Sequence, residues 1–347
     1  MGVNSLKAVV LTNWKRLEYK EVPLKELIKG EALVRVRYAA ICGSDVHVFN
    51  GHHPTATTPI ILGHEFVGTI EEICGEGKLN FKKGDRVVVE PLISCGYCEA
   101  CMEGNAHVCR NLKLLGIHKD GAFSEFIKVS INKLIHVPDD LPDKIAALTE
   151  PFAVGFHVNR RGGMKNGDSV VVVGGGPIGI IIGIVSYISG ASRVVFSEIK
   201  PKRINMIKDL GFEVINPAEE DIDKRVANLT DGEGFDIVFE VSGSKSGLLF
   251  STSACRIRGN IVNVGFFSNK PDYDAMKVIF KELSIIGSRV YSFQDFKKSI
   301  RMLQSIVAAG RFNIEGIISN IYGLKDLQEA INIMESGENL GKILIEC

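Results

Sequence analysis

Residues 169 to 192 carry no charged side chain, yet glycine and proline cut the run in two. Val170 to Val173 come first, Gly174, Gly175, Gly176 and Pro177 interrupt, and an isoleucine-rich stretch from Ile178 follows. An uninterrupted apolar run of this length would span a bilayer. The Gly-Gly-Gly-Pro break instead suits a buried strand, a tight turn and a buried helix, so no membrane span is expected. Gly174, Gly176 and Gly179 space as G-x-G-x-x-G. In a strand-turn-helix, the first glycine permits the turn, the second lets backbone approach a pyrophosphate, and the third lets helix and strand pack closely. The helix N-terminus would then face the phosphates with unpaired N–H groups. A glycine-rich turn without a ligand is the competing reading, and the strand before and helix after favour dinucleotide binding.

Nineteen residues beyond Gly179, Glu198 ends the next expected strand, RVVFSE. An acid there hydrogen-bonds the adenosine ribose hydroxyls and repels a 2′-phosphate, which favours NAD. Lys200, Lys202 and Arg203 follow closely and keep NADP open.

The rest of the chain frames this unit. At 347 residues it is long enough for two domains. Up to about residue 135, short β-branched or alternating runs (6–12, 32–40, 66–73, 85–91 and 123–129) lie between Gly, Pro and Asn clusters, which argues an all-β lobe. From about Pro151 strands alternate with helical patterns: strands at 170–174, 193–198, 212–216, 235–241, 260–265 and 283–288, and helices through residue 189 and from Pro201. That alternation implies a doubly wound parallel sheet, and the fold class is α/β. Helices at 293–309 and 324–336 and strands at 317–322 and 342–346 complete the chain. The expected divisions are 1–152, 153–288 and 289–347, the last returning to pack on the first.

Cys95, Cys98, Cys101 and Cys109 are spaced C-x2-C-x2-C-x7-C. The N-terminus lacks a charged segment followed by an apolar one and a cleavage site, so no signal peptide is expected. Without one, clustered cysteines point to a metal site and a reducing, cytoplasmic setting. Four thiolates leave no open position, the composition of a structural zinc site. His107 falls inside the loop and is read as a bystander. A nucleic-acid-binding zinc ribbon would need a basic stripe, whereas this chain has 41 basic and 41 acidic residues and a formal net charge of zero. Attraction to nucleic acid or anionic membrane is not expected.

A second metal site assembles from separated residues. The stretch ICGSDVHVFNGHHPTATTPIILGHE holds Cys42, Ser44, His47, His64 and Glu65. Cys and His are preferred zinc ligands, and an open site needs three protein ligands plus a free position. Cys42 and His64 are the firm ligands. Neighbours on a regular strand point to opposite faces, so Glu65 needs irregular backbone to join them. Glu150 precedes Pro151, where helical backbone is disfavoured, and is the other carboxylate available. Ser44 and His47 offer a proton route, while Asp45 is read as shaping the turn. A buried thiol, a core histidine and a helix-capping glutamate are the bland readings of single members; together the set argues for a site.

With these residues in place, the chain resembles the zinc-containing medium-chain dehydrogenase/reductase family. Within it, the chain is similar to the polyol and sugar-acid branch that includes sorbitol, threonine and L-galactonate dehydrogenases. The resemblance runs the whole length, through ICGSDVH, LGHEFVG, GDRVVVEP, the four-cysteine loop, GIHKDGAFSEF, EPFAVGFH, GGGPIG and GKILIE. It implies a GroES-like β domain and an inserted Rossmann domain. It implies a catalytic zinc on Cys42, His64 and a glutamate, usually Glu65 with Glu150 nearby or exchanging. Cofactor contacts fall on Gly174, Gly176, Pro177, Ile178, Gly179, Glu198, Arg203 and Val264. The implied chemistry is Lewis-acid activation of a secondary alcohol, proton loss through Ser44 toward His47, and hydride transfer to NAD. No cysteine stands near position 150, where simple-alcohol dehydrogenases place a third ligand, which argues against such an enzyme.

LGIHKDGAFSEF and IIGSR look closest to L-galactonate- and L-gulonate-type 5-dehydrogenases. Arg289 is then the candidate partner of a substrate carboxylate, with His118, His52 or His53 near the hydroxyls. Galactitol-phosphate, sorbitol and threonine dehydrogenases share much of the pattern, and Arg289 would equally serve a phosphate or stand as a surface residue. A non-catalytic regulatory protein and a zinc-free quinone-reductase type are the other classes; the complete ligand set weighs against both. The resemblance also implies a homodimer or homotetramer joined near residues 281–288. Cys74, Cys255 and Cys347 have no evident role.

Overall fold

The charge-free run folds as strand Ser169–Val173 and helix Pro177–Ile188, with Gly176 as N-cap and Pro177 at the first helical position. The computed structural model describes residues 5–75, 80–267 and 270–347. Gly174 takes φ +106°, a left-handed conformation that glycine adopts without strain. A Cβ on Gly179 would lie 2.0 Å from the Gly174 carbonyl oxygen, so only glycine lets the helix start this close to its strand. Among the described residues, no helix is long and apolar enough to cross a membrane.

That strand is central to a six-stranded sheet. In spatial order the strands are Glu213–Ile215, Arg193–Ser197, Ser169–Val173, Phe235–Glu240, Cys255–Asn263 and Ser284–Gly287, all parallel. Numbered along the chain this is 3-2-1-4-5-6, the Rossmann order, and it reverses between Ser169–Val173 and Phe235–Glu240, where dinucleotides bind in such sheets. Val171, Val173, Val195, Val238 and Ile261 form one buried layer, which is why these strands read as continuous apolar runs. Helices Ile222–Leu229, Lys245–Ala254 and Ala275–Phe280 join those expected. The first two are capped by Asp221 and Ser244, each accepting a backbone N–H three residues on.

The contacts divide the chain into two compact units, Pro151–Tyr291 and a discontinuous one built from Met1–Glu150 and Ser292–Cys347. The discontinuous unit holds a three-stranded sheet, Arg16–Pro23, Ser5–Asn13 and Ile60–Ile61, and a seven-stranded one. The larger sheet runs Leu134–His136, Arg86–Val89, Glu65–Cys74, Glu31–Ala40, Lys342–Glu346 and Ile318–Gly323, with Phe126–Ser130 also paired to Glu31–Ala40. The last strand therefore sits inside this sheet, antiparallel to Glu31–Ala40 and parallel to Ile318–Gly323. Helix Phe293–Ala309 opens on a Ser292/Asp295 capping box and closes on left-handed Gly310, so its boundaries follow from local chemistry.

Candidate active site

Cys42 lies where strand Glu31–Ala40 runs out into the short helix Gly43–Phe49, for which it is the N-cap residue. Glu65 opens the neighbouring strand and pairs in register with Ala40, so His64 and Glu65 arrive beside Cys42. The ligand atoms of Cys42, His64 and Glu65 all lie within 4.8 Å of one another. His64 stands just before the regular strand begins, which frees it from strict alternation with Glu65. A thiolate, an imidazole and a carboxylate converging at this distance fit a zinc ion with one position left open.

Asp45 organises the site and does more than shape a turn. It is fully buried. Its Oδ2 accepts the Cys42 backbone N–H at 2.8 Å, and its Oδ1 accepts the Gly63 N–H at 3.2 Å. Oδ1 also lies 3.5 Å from His64 Nδ1, which leaves Nε2 as the nitrogen facing the metal position. Burial works against protonation of His64, but Asp45 and then Cys42 outweigh it and hold the metal-free imidazole well above its ordinary pKa. Ser44 Oγ is 3.4 Å from His64 Nε2. His47, three residues further, shares that helix face and is exposed.

Behind Glu65 stands a residue that the sequence did not single out. Lys342 Nζ lies 2.7 Å from Glu65 Oε1 and 2.5 Å from Oε2, and both side chains are buried. Burial disfavours its charge, yet Glu65, Cys42 and Glu150 raise its pKa above the ordinary lysine value. Glu150 is buried but outside the converging trio. It occupies the first turn of helix Thr149–Arg161 despite preceding Pro151, because a proline in the first turn deprives the helix of no N–H bond.

In the cysteine loop, the four Sγ atoms also lie within 4.8 Å of one another. Cys98 is 3.5 Å from Cys101 and 3.9 Å from Cys109. A zinc–sulfur bond of about 2.3 Å sets a tetrahedral S···S edge of about 3.8 Å, so the spacing fits zinc and is far too long for disulfides. Backbone N–H groups of Cys95 and Asn111 point at Cys109 Sγ, as donors do toward a thiolate. His107 sits on the turn Ala106–Val108, outside the converging set.

At the glycine turn, Glu198 is nearly buried and its carboxylate turns back on the chain. Oε2 accepts the Gly175 N–H at 2.8 Å, and Oε1 accepts those of Ile199 and Lys200. Arg203 Nη1 is 3.9 Å from Glu198, while its buried Nε has no hydrogen-bond partner. The same guanidinium lies over Gly176, where a Cβ would come within 3.6 Å of Nη1. An unspent donor beside open helix N–H groups fits the anionic part of a dinucleotide. Pro177 and Ile178 form the helix's first turn, and Val264 follows strand Cys255–Asn263, donating its N–H to the Glu240 carbonyl.

Of the residues expected near substrate, His118 has its tautomer defined. Nδ1 accepts the Leu114 N–H at 3.1 Å, so Nε2 carries the proton toward Thr55 Oγ1 at 2.8 Å. His53 meets His118 edge-on at 5.8 Å between ring centroids, and His52 is exposed. Arg289 is exposed and belongs to the other unit, just past strand Ser284–Gly287.

Residues 28–139 match the alcohol dehydrogenase GroES-like domain, and residues 177–305 match the zinc-binding dehydrogenase domain. The chain is 35% identical over 348 residues to an L-threonine 3-dehydrogenase of Chelativorans sp. (strain BNC1), covering 99% of each chain. It is 36% identical over 319 residues to a 2-dehydro-3-deoxy-L-galactonate 5-dehydrogenase of Pseudoalteromonas atlantica, covering 92% of each. The crystal structure of a zinc-binding dehydrogenase from Sinorhizobium meliloti, bound to NADP, superposes with a TM-score of 0.89 at 28% identity, covering 99% of this chain and 100% of that one.

Proposed function

This chain belongs to the zinc-type alcohol and polyol dehydrogenase family, the oxidoreductases acting on CH–OH donors, and we propose from that premise that it oxidises a secondary alcohol of a sugar acid or polyol with NAD. The convergence of Cys42, His64 and Glu65, with His64 oriented by Asp45, is the observation that carries this reading. Zinc bound there supplies a Lewis acid for the alcohol oxygen, and the nicotinamide supplies the hydride acceptor. Ser44 Oγ, beside His64 Nε2, takes the alcohol proton and passes it along its helix face to exposed His47. Glu65 is the third ligand and Glu150 an outlying charge. The cysteine loop would hold a second, structural zinc on its four thiolates. Gly174, Gly176, Gly179 and the helix they open bind the pyrophosphate, with Arg203 as the side-chain donor. Glu198 disfavours a 2′-phosphate, which supports NAD; Arg203 and Lys200 beside it, and the NADP bound by the Sinorhizobium protein, support NADP as the second reading.

The substrates in the names of the two curated relatives each bear a carboxylate, which supports a carboxylate-bearing substrate here. Arg289 is the candidate partner of that group, and His118 the candidate neighbour of a substrate hydroxyl. The proposed working form is a homodimer or homotetramer joined near residues 281–288, where strand Ser284–Gly287 has, among the described residues, a strand partner on one side only.

The test is reduced-cofactor formation at 340 nm on L-galactonate, L-gulonate, D-altronate, L-threonine, sorbitol and galactitol 1-phosphate, with NAD and NADP in parallel. Turnover of one carboxylate substrate with NAD, abolished by chelation, is expected. Turnover of neutral polyols alone would remove the carboxylate role of Arg289. No turnover on any substrate by zinc-loaded protein would favour a non-catalytic role for the same fold.

A further inference from the structure

Glu240 ends strand Phe235–Glu240, at the point where the order of the parallel sheet reverses, and its side chain is fully buried. A buried carboxylate is ordinarily paired with a cation, but this one is met by the turn that follows it. Oε1 accepts the Ser242 N–H at 3.0 Å, the Ser242 hydroxyl at 2.5 Å and the Gly243 N–H at 3.1 Å. Burial pushes the carboxyl above its usual range, and the hydroxyl and N–H groups of the turn counter that, with no cation among them. The main-chain carbonyl of Glu240 accepts two more N–H groups, from Val264 at 2.9 Å and Gly265 at 3.0 Å, just past the neighbouring strand Cys255–Asn263. One residue thus ties down the loops that leave two adjacent strands.

Both loops close tightly around it. A Cβ on Gly174, the first glycine of the turn before helix Pro177–Ile188, would lie 3.1 Å from Ser242 N and Cα. A Cβ on Gly265 would lie 2.4 Å from Gly243 N and 2.9 Å from Glu240 Oε2. Val241 donates its N–H to the Val173 carbonyl at 2.9 Å, which holds the start of the turn beside the glycine turn.

Resting on the reading that Gly174, Gly176 and Gly179 bind a dinucleotide, we infer that Glu240 is a positioning residue for that cofactor: its carboxylate sets the 241–244 turn against Gly174, and its carbonyl fixes Val264 and Gly265 beside that turn. Dinucleotides lie outside the carboxyl ends of such strands at this reversal, so these loops border the cofactor. Without the carboxylate, the Ser242 and Gly243 N–H groups lose their acceptor in a buried place. The turn then shifts to find other acceptors, Gly174 loses its backing, and binding must reorder both loops at a cost in affinity. A carboxylate that only stabilised the fold would lower the unfolding temperature and leave the affinity of folded protein unchanged. Asp236 supplies that comparison. It stands near the start of the same strand, about 13 Å from Glu240 along the chain, where its Oδ2 accepts the Ser169 N–H and hydroxyl, each at 2.8 Å.

The experiment uses the full-length protein, with NADH and NADPH binding followed by nucleotide fluorescence well below the unfolding temperature of each variant, and thermal unfolding measured separately. Glu240→Ala is expected to weaken binding of whichever nucleotide the wild type takes by about tenfold or more, the scale of a buried N–H left without its acceptor. Asp236→Ala should melt lower than the wild type and bind the nucleotide as the wild type does. Glu240→Gln keeps an acceptor oxygen for the turn and should recover most of the lost affinity. Unchanged affinity in Glu240→Ala, an equal loss in Asp236→Ala, or a glutamine variant as weak as the alanine one would each overturn the inference. Should Glu240→Ala fail to fold, Gly265→Ala carries the test, since its methyl group presses on Gly243 and the carboxylate without uncovering a polar group. It is expected to weaken binding likewise, and unchanged affinity overturns the inference. A wild type that binds neither nucleotide overturns the dinucleotide reading and this inference with it, whereas binding that the Glu240 variants leave intact overturns this inference alone.

Discussion

Asp45 shows how much of a candidate metal site lies one step behind its proposed ligands. One carboxylate accepts the backbone N–H groups of Cys42 and Gly63 and faces the His64 ring. An asparagine would present an amide N–H to one of those donors, leaving a buried group unsatisfied. Asp45→Asn is therefore expected to lose about 1–3 kcal/mol of stability and about 10–100-fold in affinity for the Cys42-site zinc, read by chemical denaturation and chelator competition. Unchanged zinc affinity would show that the ligands hold their own orientation. The proposed ligands could be singled out in the sequence because Cys and His are rare and chemically distinctive. Asp45 left a weaker trace, an acid three residues after Cys42 where a capping box would place one. Lys342 left none, because nothing local to GKILIE says which strand it will lie beside.

At the scale of elements, the cysteine loop and the glycine turn are self-contained, and for that reason their spacing could be read directly. In the metal-free loop, the backbone N–H groups of Arg110 and Cys101 bring Cys98 down to about 6. Partial burial and the neighbouring Cys98 push Cys101 up to about 11. At pH 8 Cys98 is already a thiolate, whereas Cys101 must give up its proton to a metal. As the pH falls from 8 through 6, Cys98 becomes protonated as well, so each zinc taken up should displace more protons and bind more weakly. Calorimetry in two buffers of different ionisation enthalpy measures that proton count, and a count independent of pH would contradict the assigned values. Short elements were invisible for the opposite reason. Helix Gly43–Phe49 and strands Ile60–Ile61 and Leu92–Ile93 are too brief to show a period, and tertiary contacts define them.

For the whole molecule, the alternation beyond Pro151 was legible because buried parallel strands need long apolar runs. Which strand closes the larger β-sheet was not, since pairing across hundreds of residues leaves no local mark. The edge strand Ser284–Gly287 bears on assembly: Ile285 is 39% exposed on it, and the helix leading into it exposes Met276, Ile279 and Phe280. Exposed apolar side chains along an unpaired strand edge invite a second copy. Ile285→Lys is expected to convert a dimer to a monomer in sedimentation velocity, and a wild type that sediments as a monomer at micromolar concentration would end that reading.

The discontinuity of the first unit has a consequence for synthesis. On the ribosome, Pro151–Tyr291 emerges complete and can fold while translation proceeds, whereas the unit begun at the N-terminus must wait for its final strand. Until Lys342 is added, Glu31–Ala40 lacks one neighbour, and Glu65 has no cation to meet it. A nascent chain paused before that point would therefore offer chaperones an open sheet edge, so the strand that completes this sheet is also the one that withdraws it from them.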